Sequence, residues 1–215
     1  PPPPSSSNIT LTQNGSLAVH QGRSIAPKIN QLLSCPSFTL RIATRDWHPP
    51  QHISFASSHA NTPEPFTSTH TITNPATGAS YTTLLWPDHC IADSPGAQFI
   101  PELDTSRIDH VIDKGQVKDC EMYSAFYDPF RTEDSGLARI LKENKVTDVF
   151  VAGLAFDFCV KATAEHACEE GYKTYVIENA TKAVFPDKWD DIVKELQEKG
   201  VEMISWDGDK LTSGH

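Results

Sequence analysis

Val151-Ala-Gly-Leu-Ala-Phe-Asp-Phe-Cys159-Val-Lys-Ala-Thr163 is the stretch on which the fold turns. Val146 to Leu154 is an apolar run of strand length, and from about Cys159 to Glu170 the pattern becomes helical. A strand that hands over to a helix within a few residues is half of a parallel β–α–β unit. Downstream, Tyr172 to Ile177 reads as a strand, Lys188 to Lys199 as an amphipathic helix stopped by Gly200, and Val201 to Ser205 as a closing strand. Upstream, Gly136 to Asn144 reads as a helix, His110 to Asp113 as a short strand and Phe38 to Thr44 as an alternating strand. Before it, Ile25, Ile29, Leu32 and Leu33 recur at helical spacing, with Pro27 where a first turn tolerates it. The expectation is one α/β domain over residues 1–215, doubly wound, with a mainly parallel sheet and helices on both faces.

Composition narrows the function classes. The chain has 215 residues and a formal net charge of −10, so its surface repels phosphate backbones and nucleic acid is a poor partner. No apolar run approaches the roughly 20 residues that cross a bilayer, and none resembles a secretory leader. The five cysteines (Cys35, Cys90, Cys120, Cys159, Cys168) form no C-x-x-C pair, which suits a reduced compartment. A cytoplasmic location is expected, with the nucleus and homo-oligomer formation left open. Residues 1–13 read as a Pro/Ser-rich surface loop, and the polar stretch from Asp46 to Asp104, with five histidines, is long enough to be suspected of function.

Three segments carry chemistry. Cys159 stands where a strand ends and a helix begins, a position at which the helix dipole favours a thiolate, although a buried structural cysteine is the competing reading. Cys168 lies near the other end of the same helix, where the dipole opposes ionisation. In Asp46-Trp47-His48 the carboxylate and imidazole are two residues apart and share a face of extended chain, and Trp86-Pro-Asp-His89-Cys90 supplies another imidazole. Such oxygen and nitrogen donors suit Zn²⁺ or Fe²⁺, with His52 and Cys90 as possible extra ligands and His59 and His70 as surface residues. Lys114, in Ile112-Asp-Lys-Gly115, ends a strand and either sits beside the thiol or pairs with Asp113 at the surface.

Taken with Tyr123-Ser-Ala-Phe126, these motifs resemble the nicotinamidase group of the isochorismatase-like cysteine hydrolases, over roughly Asn14 to Ser205. The resemblance implies a Rossmann-like three-layer fold and hydrolysis of nicotinamide to nicotinate and ammonia in NAD salvage, with pyrazinamide as an analogue. It implies that Cys159 is the nucleophile, that Lys114 helps ionise it, and that a cis Leu154–Ala155 peptide aims the amides of Ala155 and Cys159 at an oxyanion. It further implies that Asp46, His48 and His89 hold zinc (or Fe²⁺ or Mn²⁺), and that Trp47, Tyr123 and Phe158 flank the ring.

One family feature has no counterpart. Members open with an apolar strand carrying an aspartate that shuttles protons, and neither Asp46, Asp113 nor Asp157 stands at its position. That strand is central to the sheet, so the expectation is that it lies upstream of Pro1. The alternative is a catalytically impaired relative that binds metal and ligand without turning over.

Overall fold

The computed structural model describes residues 16–207 and 210–213; the expected loop over residues 1–13 lies outside them. Helix α1 (Ala26–Ser34) precedes β1 (Ile42–Asp46). A hairpin of β2 (Thr69–Thr73) and β3 (Ser80–Leu84) follows, and then β4 (His110–Lys114). The second half runs α2 (Leu137–Glu143), β5 (Asp148–Leu154), α3 (Lys161–Glu169), β6 (Lys173–Lys182), α4 (Trp189–Glu198), β7 (Glu202–Asp207) and β8 (Lys210–Ser213). Strands β5, β6 and β7 pair in parallel, as do β1 and β4, so the expected α/β architecture is observed. β8 adds an antiparallel edge beyond the expected closing strand.

Alternation along the strands sends neighbouring residues to opposite layers. Val151, Val176 and Met203 point into a core with Ala164 of α3 and Ile192 and Leu196 of α4. Their neighbours Ala152, Ile177 and Ile204 point the other way, towards Leu32 of α1, Phe38 and Trp206. Ala164 and Ala167 are fully buried, and their small side chains let α3 lie close on the sheet. The α4 helix opens with Asp190 and Asp191, which complement its dipole, and ends at Gly200, whose φ of +90° suits a residue without a Cβ.

Three expectations shift. β1 begins at Ile42 rather than Phe38, because Phe38 leaves the ladder to pack edge-on against Phe150 at 5.1 Å. The β2–β3 hairpin was not expected within the polar stretch. Its strands carry mostly threonine, serine and tyrosine, and only Ile72 and Thr83 are buried, so hydrophobic contrast is nearly absent. Between β5 and α3 the chain makes a π-turn over Phe156–Val160, which puts Cys159 inside a wide turn ahead of the regular helix.

Among the described residues the parallel strands form two blocks, β4–β1 and β5–β6–β7, rather than one ladder. The free edges of β1 and β5 line a common cleft of about 770 Å³, flanked by α1 on one face and α2 on the other.

Leu196 is fully buried in the α3–α4 layer, so Leu196→Ala should destabilise the fold by about 2–5 kcal/mol. The midpoint of urea unfolding measures this, and a loss below about 1 kcal/mol would show that the layer repacks around the site.

Candidate active site

The carboxyl ends of β1, β4 and β5 deliver the three charged or nucleophilic groups of the site. β4 ends in Lys114, which is only 4% exposed, and its Nζ donates to the Asp46 carboxylate at the end of β1. The same ammonium donates to the Met122 carbonyl at 3.1 Å and lies 3.4 Å from Cys159 Sγ. Burial opposes the charge on Lys114, but Asp46 and Cys159 outweigh it and hold the group above its ordinary range. Burial would likewise raise Asp46, yet Lys114, His48 and His89 together hold its carboxyl well below the usual carboxylate range. Burial pushes the Cys159 thiol up to about 11, against the opposing pull of Lys114. The Leu154–Ala155 peptide that leads into the π-turn is cis.

Asp46, His48 and His89 each offer a donor atom, and these lie within 4.8 Å of one another. Two loop segments are laced together to achieve this: His48 N donates to Cys90 O at 2.9 Å, and Ala92 N donates to His48 O at 2.8 Å. His48 Nδ1 bonds the Gly115 carbonyl at 2.8 Å and His89 Nδ1 bonds the Pro87 carbonyl at 2.8 Å. Both rings thus donate through Nδ1, leaving Nε2 as the ligand nitrogen, the arrangement that orients metal-binding histidines. Burial lowers the pKa of both, so they are neutral near pH 7, the form that ligates. The three residues therefore fit a divalent cation.

His52, weighed as a further ligand, has both nitrogens engaged. Nδ1 faces Ser54 Oγ at 2.8 Å and Nε2 faces Cys120 O at 2.9 Å. Its ring instead stacks on His48 with centroids 4.1 Å apart and steadies it. Cys90 is buried against Ala97 and Trp47 and is not part of the donor set, and His59 and His70 pair with each other, ring centroids 4.4 Å apart. Gly115 has φ +65°, and a Cβ there would meet His48 Cε1 at 2.5 Å, so glycine is required on two counts.

A small cavity over Cys159 is walled by Trp86, Tyr123 and Phe158. Trp86 packs edge-on to Phe158 at 4.7 Å, and its Nε1 donates to Tyr123 Oη at 2.9 Å. The same hydroxyl bonds Thr83 Oγ1 on β3 at 2.8 Å. Trp47, expected on this wall, is elsewhere: it lies under the Arg45 guanidinium at 4.1 Å and against Cys90 and Ala97. The cause is the strand period, which puts Asp46 and His48 on one face and Trp47 on the other. Trp86 takes the wall instead, and its place in the same motif as His89 was the available signal.

Glu121 also lines the cavity and was not singled out from the sequence. Burial and the nearby Asp46 push its carboxyl up to about 8, so it is largely protonated at neutral pH. Of the remaining acids, Asp113 pairs with Arg45 at 2.6 Å. Asp157 accepts from Val184 N at 3.0 Å and Phe185 N at 2.8 Å. Neither faces the thiol.

Residues 9–208 match the isochorismatase domain. The chain belongs to the isochorismatase family. Its curated relatives include the nicotinamidase of Schizosaccharomyces pombe, 40% identical over 183 residues, which are 84% of this chain and 81% of that protein. The nicotinamidase of Saccharomyces cerevisiae is 34% identical over 199 residues, 89% of this chain and 90% of that one. Among solved structures, yeast nicotinamidase bound to the inhibitor nicotinaldehyde superposes with a TM-score of 0.87 at 31% identity, covering 94% of this chain and 96% of that one. The pyrazinamidase of Pyrococcus horikoshii in complex with zinc gives 0.69 at 29% identity, covering 93% and 96%. In this isochorismatase-family chain the carboxyl ends of parallel strands carry the site, the usual place for ligands in open α/β sheets.

Two measurements follow. In metal-free protein, Cys159 should resist iodoacetamide at pH 7 and react faster as pH rises toward about 11, with Lys114→Met slowing it further at every pH. Mass-spectrometric mapping of the labelled cysteine reads this out, and brisk labelling of Cys159 at neutral pH would contradict it. Gly115→Ala should displace His48 and weaken zinc binding about 10–100-fold, measured by competition with a chromophoric chelator.

Proposed function

We propose that this chain is a nicotinamidase, hydrolysing nicotinamide to nicotinate and ammonia and accepting pyrazinamide as an analogue. One observation carries the reading: Lys114 Nζ, 3.4 Å from Cys159 Sγ, is also bonded to Asp46 of the metal-donor set, so nucleophile, cation and donor set form one unit. The relatives named nicotinamidase, at 34% and 40% identity over most of the chain, support the substrate class.

In this reading the Cys159 thiolate attacks the carboxamide carbon, and the carbonyl π pair moves onto oxygen. The amides of Ala155 and Cys159 donate to that oxyanion, where preorganised donors are worth most. As the tetrahedral intermediate collapses, the C–N bond breaks, its nitrogen takes up through water the proton that the Cys159 thiol lost on ionising, and ammonia leaves. Water then attacks the thioester and the C–S bond breaks; one of its protons returns to the Cys159 sulfur and the other passes to the released ammonia as nicotinate departs. The Lys114 ammonium favours the thiolate both as attacking and as leaving group. Trp86, Tyr123 and Phe158 flank the ring. Asp46, His48 and His89 would hold a divalent cation, zinc on their donor chemistry and otherwise Fe²⁺ or Mn²⁺. When bound, the cation supplies a Lewis-acid contact for the ring nitrogen. Glu121, largely protonated, and Asp46, committed to Lys114, are not assigned the proton shuttle. The product makes the reaction a step in NAD salvage.

A coupled ammonia assay tests the proposal. Cys159→Ala should lose at least about 10³-fold in turnover while still binding nicotinamide. Exhaustive chelation should abolish activity, and zinc should restore it. Full turnover by Cys159→Ala would exclude the thioester route. Nicotinamide binding with no ammonia from the parent chain would mark a ligand-binding relative instead.

A further inference from the structure

Segment 121–123 serves the site in two ways. Glu121 and Tyr123 line the cavity over Cys159, and the Met122 carbonyl between them accepts from Lys114 Nζ at 3.1 Å. Its backbone belongs to no helix or strand, and side chains of β3 hold it. They come from residues two apart, which share a face of the strand. Tyr81 Oη donates to the Glu121 carbonyl and accepts from Glu121 N, each at 3.3 Å. Thr83, only 5% exposed, meets Tyr123 Oη through its Oγ1 at 2.8 Å. Thr82, between them, is exposed on the opposite face and bonds Thr71 Oγ1 across the hairpin at 2.9 Å.

The hydroxyl of Tyr123 decides what Thr83 does. An indole N–H can only donate, so Tyr123 Oη accepts from Trp86 Nε1 at 2.9 Å. Burial pushes the phenol well above its ordinary range, so the oxygen keeps a proton of its own, and that buried proton needs an acceptor. Thr83 Oγ1 is that acceptor. The bonds therefore run one way, from Trp86 through Tyr123 to Thr83. Trp86 and Tyr123 both pack on Phe158, with centroids 4.7 and 5.3 Å apart. Three aromatic walls thus depend on one threonine oxygen that does not itself line the cavity.

We infer that Thr83 is a positioning residue for the ring of the substrate: through Tyr123 Oη it fixes the walls that bind the ring, and so governs binding of nicotinamide and not the reactivity of Cys159. The ligand is that of the nicotinamidase reading, which the inference deepens and on which it rests. Thr83→Val keeps the branched shape but removes the acceptor, leaving the Tyr123 proton unpaired. Thr83→Ser keeps the acceptor.

Steady-state kinetics and NMR of the full chain test this. Thr83→Val should raise KM for nicotinamide about three- to tenfold with kcat within about twofold, and Thr83→Ser should keep KM within about twofold of the parent. In a Tyr123→Phe background, which has no phenol proton to place, adding Thr83→Val should change KM by less than about twofold. Thr82→Val, which breaks a hairpin bond on the other face, should leave both constants unchanged. A fall in kcat with KM unmoved, a full additional rise in the Tyr123→Phe background, or an equal rise from Thr82→Val would overturn the inference. The Trp86 indole proton, assigned by its loss in Trp86→Phe, reads the same contact without ligand or turnover. It should shift in Thr83→Val and hold its parent position in Thr83→Ser, and an unmoved resonance in Thr83→Val would also overturn the inference. A parent chain that releases no ammonia would defeat the nicotinamidase reading instead. Titrating nicotinamide against the indole resonance would then make the same comparison, as a rise in Kd of about three- to tenfold.

Discussion

A buried ammonium governs this site. Lys114 is almost wholly removed from water, and a charge in that position survives only where opposite charge and hydrogen-bond acceptors compensate it. Asp46, the Met122 carbonyl and the Cys159 sulfur provide that compensation, from the end of β1, the loop beyond β4 and the turn after β5. The pairings are long in sequence, 68 residues to Asp46 and 45 to Cys159. One side chain thus ties the β1–β4 block to the β5 block at the end of the cleft. Charge state and geometry are inseparable here, since whatever moves Asp46 also alters the field at the thiol.

The donor set is arranged by the same economy of partners. His48 and His89 spend Nδ1 on backbone carbonyls, which leaves Nε2 as the atom each can offer to a cation. His52 spends both nitrogens and contributes a flat surface against which His48 rests. Three histidines close in space therefore divide between ligation and support. Hydrogen-bond accounting, and not proximity, makes the distinction.

Much of this was legible in the sequence because it follows periodicity. The apolar run into Cys159, the Lys114 strand end and the paired donors at Asp46 and His48 all follow from strand geometry and the strand-to-helix handover. What was not legible depends on contacts between segments distant in the chain. The strand period itself turns Trp47 from the Asp46–His48 face, but only the fold shows that Trp86 stands over Cys159 in its place. Glu121 passes unnoticed in the sequence, because nothing local signals that Asp46 will lie near it in a low-dielectric pocket. The hairpin escaped notice because its strands lack the hydrophobic contrast on which pattern reading relies.

That hairpin has a consequence for how the protein can change over evolutionary time. It pairs with neither parallel block, yet through Thr83 it grips the hydroxyl of Tyr123 and so sets one wall of the cavity over Cys159. The reacting groups hang from the parallel strands, and the shape of the space above them is tuned by a peripheral ribbon. Sequence drift in the ribbon can remodel that space while the nucleophile and its counter-charges stay fixed. Recognition and reactivity thus occupy separable pieces of the chain, and a new specificity could be explored without first surrendering the old chemistry.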